Sequence, residues 1–496
     1  VPIGGYDHGG FDEGAAEIVA YEPSSQRLFV VNSQAVTLDV LDIADPTAPT
    51  LIEQLDMTAY GGGANSVAVH GEYVAVAIEA DDKQAPGTIL LTDLDLRPVA
   101  SYTVGALPDM VTFTPDGRRI VAAIEGEPSD DYGVDPEGAV AIIDLPAMGD
   151  PQDAVVRQAT FRAFDGNEDL LRRSGIRIYG PGASASQDFE PEYVAISADS
   201  ATAYVVMQEN NALAVVDLAR AIVVDLVPLG FKDWSGLRMD PSNRDGGIQM
   251  GSWPVYGIYQ PDAIAAFRVG GMDYFVTANE GDARDYDTYS EEARVGDDEV
   301  ILDPAAFPNA AELKDDAALG RLNITLESGD DDGDGDFDRI VAYGARSISV
   351  WSADGSLVWD SGDAIERTVL DTHPALHNAN NDEAAAESGD ARSDDKGPEP
   401  EGLVVGTIDG VPYVFVGLER VGGVMTWNLS DPAAPELVGY FNDRPFFASA
   451  DSDEGGDLGP EGLAFIAAEV SPTGVPLLVV AHEISGTTRI YEVRVD

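Results

Sequence analysis

The 496-residue chain contains no cysteine, and that absence removes several classes of chemistry. It has no disulfide framework, no thiol nucleophile and no cysteine-based zinc site. A chain of this length does not need disulfides to be stable outside the cell, so export stays open. The sequence also lacks the long apolar run that a bilayer requires, so we expect no membrane span.

Positive charge is scarce. The chain has 28 Lys and Arg against 89 Asp and Glu, a formal net charge of −61. Such a surface repels nucleic acid and anionic lipid, so neither is expected as a partner. It also repels itself unless cations screen it. Two explanations stay open: halophilic adaptation of the whole surface, and binding of divalent metal by particular clusters.

The common hydrolase motifs are missing as well. There is no G-x-S-x-G elbow and no P-loop, and His482-Glu483 is followed by Ile-Ser-Gly rather than completing H-E-x-x-H. These absences argue against a serine hydrolase and a zinc protease.

What the chain does contain is a repeat. A strand opens after a Pro-acid pair, a turn follows, an apolar second strand ends in Glu or Asn, and two further strands complete the unit. The seven second strands are LFVVN, YVAVAIE, RIVAAIE, AYVVMQE, YFVTANE, YVFVGLE and LLVVAHE. This pattern predicts an all-β fold, a single seven-bladed β-propeller over residues 1–496. The last unit ends after its third strand, so residues 1–10 are expected to supply the fourth, although four glycines make them a poor strand.

Two segments interrupt the repeats. Residues 283–338 lie inside the fifth unit, and residues 364–398 precede the sixth. Because they follow a second strand or precede a first one, we expect both on or near one face of the propeller. Loops of this length are usually lids, binding loops or disorder.

The repeat predicts a ring of carboxylates on that face. In a four-stranded blade the first strand begins on the face where the second ends, and about twenty residues separate the acid of each Pro-acid pair from the closing Glu. The predicted members are Asp109 and Glu125, Glu192 and Glu209, Asp262 and Glu280, Glu401 and Glu419, and Glu461 and Glu483, with Glu17 and Glu79 beside them. Like charges this close need cations among them, which favours a metal or cationic ligand. The alternative is that each acid only caps backbone N–H groups in the turn between blades.

A separate acidic motif lies at the end of the first insertion. Acids occupy alternate positions at Asp330, Asp332 and Asp334, with Asp336 and Asp338 continuing the spacing and Asp331 as an additional acid. Gly335 takes the sixth place, as in the first half of a calcium loop. The twelfth place is Val341 rather than Glu, so any ion takes its remaining ligands elsewhere. We expect Ca²⁺, or another divalent metal, at one or more sites; a solvated acidic turn is the alternative.

Basic residues are few enough for their placement to matter. Arg284, Arg346, Lys396 and Arg420 fall in or beside loops of the carboxylate face. They suit a phosphate or carboxylate ligand, or they simply neutralise the acids. His482 precedes the Glu that closes the seventh second strand, where a lone His is more often structural than catalytic.

Several strings resemble the choice-of-anchor I family. They are DGDGDFDRIVAYGARSISVW, ARSDDKGPEPEGL, GLERVGGVMTW, DLGPEGL and HEISGTTRIYEV, within a resemblance from about Glu17 to Val495. The resemblance implies a secreted or surface-attached bacterial propeller, with relatives often described as alkaline-phosphatase-like and some fused to metallophosphatase or nucleotidase domains. The chain shows no obvious anchor segment, so we expect a secreted form, extracellular or periplasmic, with its signal peptide removed.

Two functions follow as hypotheses. The first is a calcium-dependent phosphoester hydrolase acting on a small phosphorylated or anionic ligand through metal. Its candidate catalytic residues are Glu280, Arg284, Arg420 and His482, and its candidate metal ligands on the ring are Asp262, Glu280, Glu401, Glu461 and Glu483. The second is a non-catalytic protein with a cell-surface or matrix partner, in which calcium only stiffens loops.

Overall fold

Most of the chain is built from four-stranded antiparallel sheets. The computed structural model describes residues 1–381, 384–445, 448–451 and 455–494, and these contain seven such sheets. Sheets 1 to 3 have the strands Val19–Glu22, Arg27–Asn32, Thr37–Asp42 and Thr50–Asp56; Gly63–His70, Tyr73–Glu79, Pro86–Asp93 and Pro98–Ala106; and Pro108–Phe113, Arg119–Ile124, Ala139–Asp144 and Val155–Thr160. The all-β prediction is confirmed.

Sheets 4 to 7 have the same strand order, except that a strand from the N-terminus is the fourth strand of sheet 7. Their strands are Val194–Ile196, Thr202–Met207, Ala212–Asp217 and Ile222–Pro228; Ile264–Val269, Met272–Asn279, Ser347–Ser352 and Leu357–Asp360; Pro400–Ile408, Val411–Leu418, Val424–Asn428 and Glu436–Phe441; and Pro460–Ile466, Leu477–His482 and Thr487–Glu492, completed by Pro2–Asp7. Pro2–Asp7 pairs antiparallel with Thr487–Glu492, so the N-terminus does complete the last sheet. The glycines that weakened this strand allow close packing, because a Cβ at Gly4 would lie 2.1 Å from the Pro46 carbonyl oxygen.

The core lies between neighbouring sheets. Second strands such as Arg27–Asn32 are buried along nearly their whole length, whereas the fourth strand Pro98–Ala106 alternates between exposed and buried residues. Each pair of consecutive sheets shares one cluster of buried apolar side chains, and sheet 7 shares one with sheet 1. The first strands contact one another in the same cyclic order. Burial of β-branched and aromatic side chains on both sheet faces therefore stabilises the arrangement.

The first insertion is a structured subdomain rather than a loop. A five-stranded sheet joins Phe231–Asp233, Val255–Ile258, Ile340–Ala342, Asn323–Thr325 and Glu292–Arg294, and a hairpin pairs Asp285–Tyr286 with Tyr289–Ser290. The sheet has a core of its own, which includes Trp234, Phe307 and Phe337. Residues 231–258, which precede sheet 5 in the chain, join this subdomain through a parallel pairing of Val255–Ile258 with Ile340–Ala342.

Helices are short and lie in the connections. They are Glu168–Ser174, Ala185–Asp188, Ala310–Leu313, Ala364–Thr372 and Ala385–Ser388, with 3₁₀ turns at Pro151–Asp153, Arg162–Phe164, Trp234–Gly236 and Pro374–Leu376. Ala364–Thr372 packs Ile365 and Val369 into the core between sheets 5 and 6. Among the residues that the structure describes, no helix is both long and apolar enough to cross a bilayer.

Candidate functional site

The Pro-acid pairs open first strands beside the ends of second strands. Pro108 pairs with Ile124, Pro400 with Leu418 and Pro460 with His482, and in each sheet the closing Glu is the next residue. A β-bulge follows each of these prolines, and a bulge turns side chains away from the regular alternation of the strand. The acid of the pair and the closing Glu therefore lie side by side, as the spacing predicted.

Glycine after the acid brings neighbouring sheets together. A Cβ on Gly402 would lie 1.7 Å from the backbone oxygen of Glu461, and one on Gly462 would lie 2.2 Å from that of Glu17. Any other residue at either position would force the first strands apart. The Pro-Glu-Gly sequence thus sets the close approach of Glu401, Glu461 and Glu17.

The carboxylates of different sheets influence one another. Burial raises the pKa of Glu461 well above its usual value, and the charges of Glu17, Glu483, Asp262 and Asp109 raise it further. Burial and neighbouring carboxylates likewise raise the pKa values of the other members: to about 7 for Glu17, Asp109, Glu209 and Glu483, upward for Glu280, and well above the usual range for Glu125, Glu192, Asp262, Glu401 and Glu419. We call this set, with Glu79, the carboxylate ring.

One sector of the ring is already neutralised by the chain itself. The Lys396 Nζ lies 2.6 Å from Glu280 Oε1 and 3.2 Å from Glu399 Oε2. The Gln208 amide donates to the other oxygen of Glu280 at 2.9 Å. Burial alone would raise the pKa of Glu399. The charges of Lys396, Arg392 and Arg420 outweigh burial and lower this pKa to about 2. Sequence reasoning missed Glu399, which stands in a second Pro-acid pair immediately before Pro400.

The two arginines among the candidate catalytic residues, Arg284 and Arg420, are paired with acids. Arg284 is 2% exposed, and it contacts Asp188 at 2.7 Å and Glu190 at 2.9 Å. Arg420 lies 3.1 Å from Glu419 and 3.4 Å from Glu399. Their guanidinium groups therefore neutralise neighbouring carboxylates.

Asp188 and Glu190 were not predicted, because about a hundred residues separate them from Arg284 and no local pattern links the three. Arg346 is also buried, 2.9 Å from Glu366 in the second insertion.

Another sector of the ring has bare oxygens. Within the described part of the chain, one buried Oε2 atom has no hydrogen-bond partner in each of Glu192, Glu209, Glu401 and Glu461. Glu192 and Glu209 are 9% and 7% exposed as whole residues. The strongest charges acting on Glu192 are those of Glu209, Asp262, Glu125 and Asp109. Buried polar atoms without partners are costly, so this sector has unused capacity for a proton or a bound cation.

His482 is buried next to the ring member Glu483. It ends the strand Leu477–His482, it is 2% exposed, and burial lowers its pKa. The charged groups that act on it are Asp457 and Arg489, which contact each other at 2.7 Å. The sequence placed His482 among the catalytic candidates, and the structure gives it the surroundings of a core histidine.

The Asp330–Asp338 segment forms an exposed loop. Oxygens of Asp330, Asp332 and Asp338 lie within 4.8 Å of one another, which fits a hard divalent cation such as Ca²⁺. Asp334 and Asp336 belong to the same loop but not to this set of three. The two oxygens of Asp330 accept hydrogen bonds from the Gly333 and Gly335 N–H groups, and Asp331 pairs with Arg339.

Only one other set of three acids among the described residues is equally close: Glu280, Glu399 and Glu419. This set already contacts Lys396, Arg392 and Arg420. A metal there would have to displace cations of the chain, so these residues fit an ion poorly. No three of the described ring carboxylates with bare oxygens lie as close together as these two sets.

Three comparisons with known proteins bear on identity. The chain is 28% identical over 340 residues to a mesenchyme-specific cell surface glycoprotein of Strongylocentrotus purpuratus, covering 60% of this chain and 43% of that protein. It is 31% identical over 191 residues to Gigasin-3a of Magallana gigas, covering 37% of this chain and 67% of that protein. The chain thus spans less than half of the sea-urchin relative.

A chain of Kuenenia stuttgartiensis hydrazine synthase superposes with a TM-score of 0.51 at 12% identity, covering 99% of this chain and 98% of that one, a likeness of fold alone. The profile of the choice-of-anchor I domain matches residues 17–432. That match confirms the resemblance of the sequence motifs, and the chain belongs to the choice-of-anchor I domain family.

Proposed function

We propose that this protein is a non-catalytic extracellular binding or scaffold protein, and that its seven sheets are the blades of one closed propeller. The cyclic order of shared cores and first-strand contacts supports the blade count. The name of the sea-urchin relative, a cell surface glycoprotein, supports an extracellular place of action. A rigid propeller face that presents a ring of acids suits recognition of a cation, or of a partner held through one.

The observation that carries the proposal is how the cationic side chains of the face are used. A phosphoester hydrolase needs free cations to hold phosphate oxygens and a metal that activates water. Arg284 and Arg420 are instead paired with acids, and Lys396 occupies the closest set of ring carboxylates. Oxygens without partners remain on Glu192 and Glu209, which are acceptors and suit a positively charged ligand.

The raised pKa values shape this chemistry. Several ring carboxylates have a pKa of about 7, so a cation at neutral pH competes with protons for them. Binding should release protons, as metal binding does whenever its ligands must ionise. We expect affinity to rise between pH 6 and pH 8.

Calcium titration calorimetry at pH 6 and pH 8, in two buffers with different ionisation enthalpies, tests the proposal. The double variant Glu192→Gln/Glu209→Gln should weaken the proton-releasing event about tenfold or more, the scale of one lost charged contact. The matched control Glu53→Gln/Glu436→Gln removes the same charge from exposed positions and should leave that event intact.

An assay with aryl phosphates and phosphodiesters in millimolar calcium, from neutral to alkaline pH, tests the hydrolase hypothesis in parallel. We expect no turnover above a heat-treated sample. Turnover that Glu280→Gln or Arg284→Gln abolishes would overturn the non-catalytic assignment. Equal loss of the calorimetric event in both double variants would overturn the ring as the cation site.

A further inference from the structure

A pocket lined by no side chain of the carboxylate ring brings several arginines together in this acidic chain. It has a volume of about 610 Å³ and lies between the end of the helix Glu168–Ser174 and the loop entering the Asp330–Asp338 segment. Four arginines line it: Arg172, Arg173, Arg177 and Arg339. With 28 basic residues spread over 496 positions, four in one pocket call for a physical reason.

Two of these arginines stand at the rim. Arg173 is exposed and forms no ion pair among the residues that the structure describes. Arg172 contacts Asp169 through Nη1 at 3.0 Å and donates from Nε to the Ile178 carbonyl at 2.6 Å. Basic residues in the last turn of a helix favour its C-terminal dipole, which accounts for these two but not for the other two arginines.

Arg177 forms the buried wall. It is 6% exposed, pairs with Glu291 through Nη2, and donates from Nη1 to the Glu209 carbonyl at 2.7 Å. Its Nε has no hydrogen-bond partner within the described chain. A buried, always charged donor without an acceptor indicates a place for a ligand oxygen or a water.

Arg339 closes the opposite side. Its Nε donates to Asp331 at 2.8 Å, and its guanidinium lies 5.1 Å from the centre of the Phe231 ring. Phe231 and Tyr179 give the pocket aromatic walls, and the acids Glu327, Asp330 and Asp331 also line it. These acids repel an extended polyanion more strongly than a ligand with one compact anionic group, which can lie against the arginines.

We propose that this pocket binds a small ligand through a single oxyanion, a carboxylate, sulfate or phosphate group. Arg173, which forms no ion pair within the described chain, and the unpartnered Nε of Arg177 supply donors for the oxygens of such a group, and the volume is that of ordinary small-molecule sites. The assignment goes beyond the proposed function and is independent of the carboxylate ring. It requires no metal.

Saturable binding of sodium acetate, sulfate and phosphate, each at constant ionic strength, provides the test. Binding is followed by NMR shifts of arginine Nε–H groups and by calorimetry. We expect at least one of the three anions to bind, and their order of affinity identifies the oxyanion. Arg172→Gln/Arg173→Gln should weaken binding about tenfold, as expected for lost charge-assisted contacts. Asp331→Asn should strengthen it about threefold, since it frees Arg339 and removes a repelling charge.

The matched control is Arg118→Gln, an exposed arginine 3.7 Å from Asp116 and remote from the pocket. It should leave affinity unchanged, and melting curves should show all variants folded. Absence of saturable binding by all three anions would overturn the proposal. So would an equal loss in Arg118→Gln and in the pocket variant, because it would indicate nonspecific attraction to surface arginines.

Discussion

The carboxylate ring and the Asp330–Asp338 loop are both crowded with acids, yet their surroundings are opposite. Ring members are drawn inward from several sheets and are largely buried, with Lys396 and Arg420 inserted among them. The loop comes from one short segment, is exposed, and has Arg339 as a basic partner.

The cause of the pKa shifts differs accordingly. In the ring, burial is the largest cause of the raised pKa of Glu192, whereas the repulsion of Asp334 is the largest cause of the raised pKa of Asp332 in the loop. Changing the charge of a buried acid should therefore alter the free energy of unfolding of the whole fold, whereas changing an exposed acid should alter only the order of its own loop.

The largest effect is expected from removing the cation inside the ring. Lys396→Met should leave Glu280 and Glu399 buried without their shared partner. Breaking a buried ion pair on one side costs about 3–5 kcal/mol, and we expect a loss of that order in the free energy of unfolding. The loss should be smaller at pH 5 than at pH 8, since protonation relieves the unpaired charge. Urea denaturation at both pH values measures it.

Lys83→Met is the matched control for that variant. Lys83 also faces a ring member, Glu79, but at 3.9 Å and with 56% of its side chain exposed. An exposed pair contributes about 0–1 kcal/mol, so the control should change stability little. Equal losses in the two variants would show that burial does not distinguish the sector held by Lys396.

The pH dependence of stability should be the next largest effect. An acid whose pKa is raised in the folded state binds more protons there than in the unfolded chain, so stability is highest at low pH and falls as pH rises through the folded pKa. For Glu17, Asp109, Glu209 and Glu483, with pKa values of about 7, the fall lies between about pH 5 and pH 8. We expect a loss of about 1–3 kcal/mol in chelator.

Calcium at millimolar concentration should flatten that profile, because binding at the proposed cation site would stabilise the ionised ring. Chemical denaturation at half-unit pH steps, with and without calcium, gives the two curves. A stability that rises from pH 5 to pH 8 in chelator would contradict the raised pKa values. The variant Glu192→Gln/Glu209→Gln should show a shallower fall than the parent chain.

The sequence predicted those parts of the fold that local pattern controls. Each second strand is an apolar run closed by Glu or Asn, and the Pro-acid pair is a local signal for the start of a first strand, so the approach of Asp109 to Glu125 followed from spacing alone. Local pattern argued against the closing strand Pro2–Asp7, because glycine weakens a strand unless close packing needs it, as at Gly4.

Long-range pairing could not be predicted in the same way. The parallel pairing of Val255–Ile258 with Ile340–Ala342 joins segments more than eighty residues apart, and nothing local announces it. The choice of partner for Arg284 is equally non-local, since many acids were available and the packing of the insertion selects Asp188 and Glu190. The sequence therefore predicted well which acids lie near one another at the strand ends. It did not predict which basic side chain pairs with each acid.

The smallest effect should come from the exposed loop. Its turn is already supported by hydrogen bonds from Gly333 and Gly335 to Asp330, so a bound ion would add to existing order. Because Ca²⁺ would bind only the native loop, stability should rise with the logarithm of free calcium above the dissociation constant. At tenfold excess we expect a rise in melting temperature of roughly 1–2 °C in a chain of this size.

Asp332→Ala/Asp334→Ala should remove that calcium-dependent rise and let a protease cut within residues 327–338 first, while the seven sheets stay folded. These substitutions take away one of the three closest ligands and the neighbouring charge that most raises the pKa of Asp332. Asp298→Ala/Glu299→Ala makes the same charge change at exposed positions of the same insertion and should keep the rise. Thermal melts and timed proteolysis across a calcium series separate the variants. A digestion pattern that calcium leaves unchanged in the parent chain would identify the loop as a solvated acidic turn, and the remaining calcium dependence of stability would then belong to the ring.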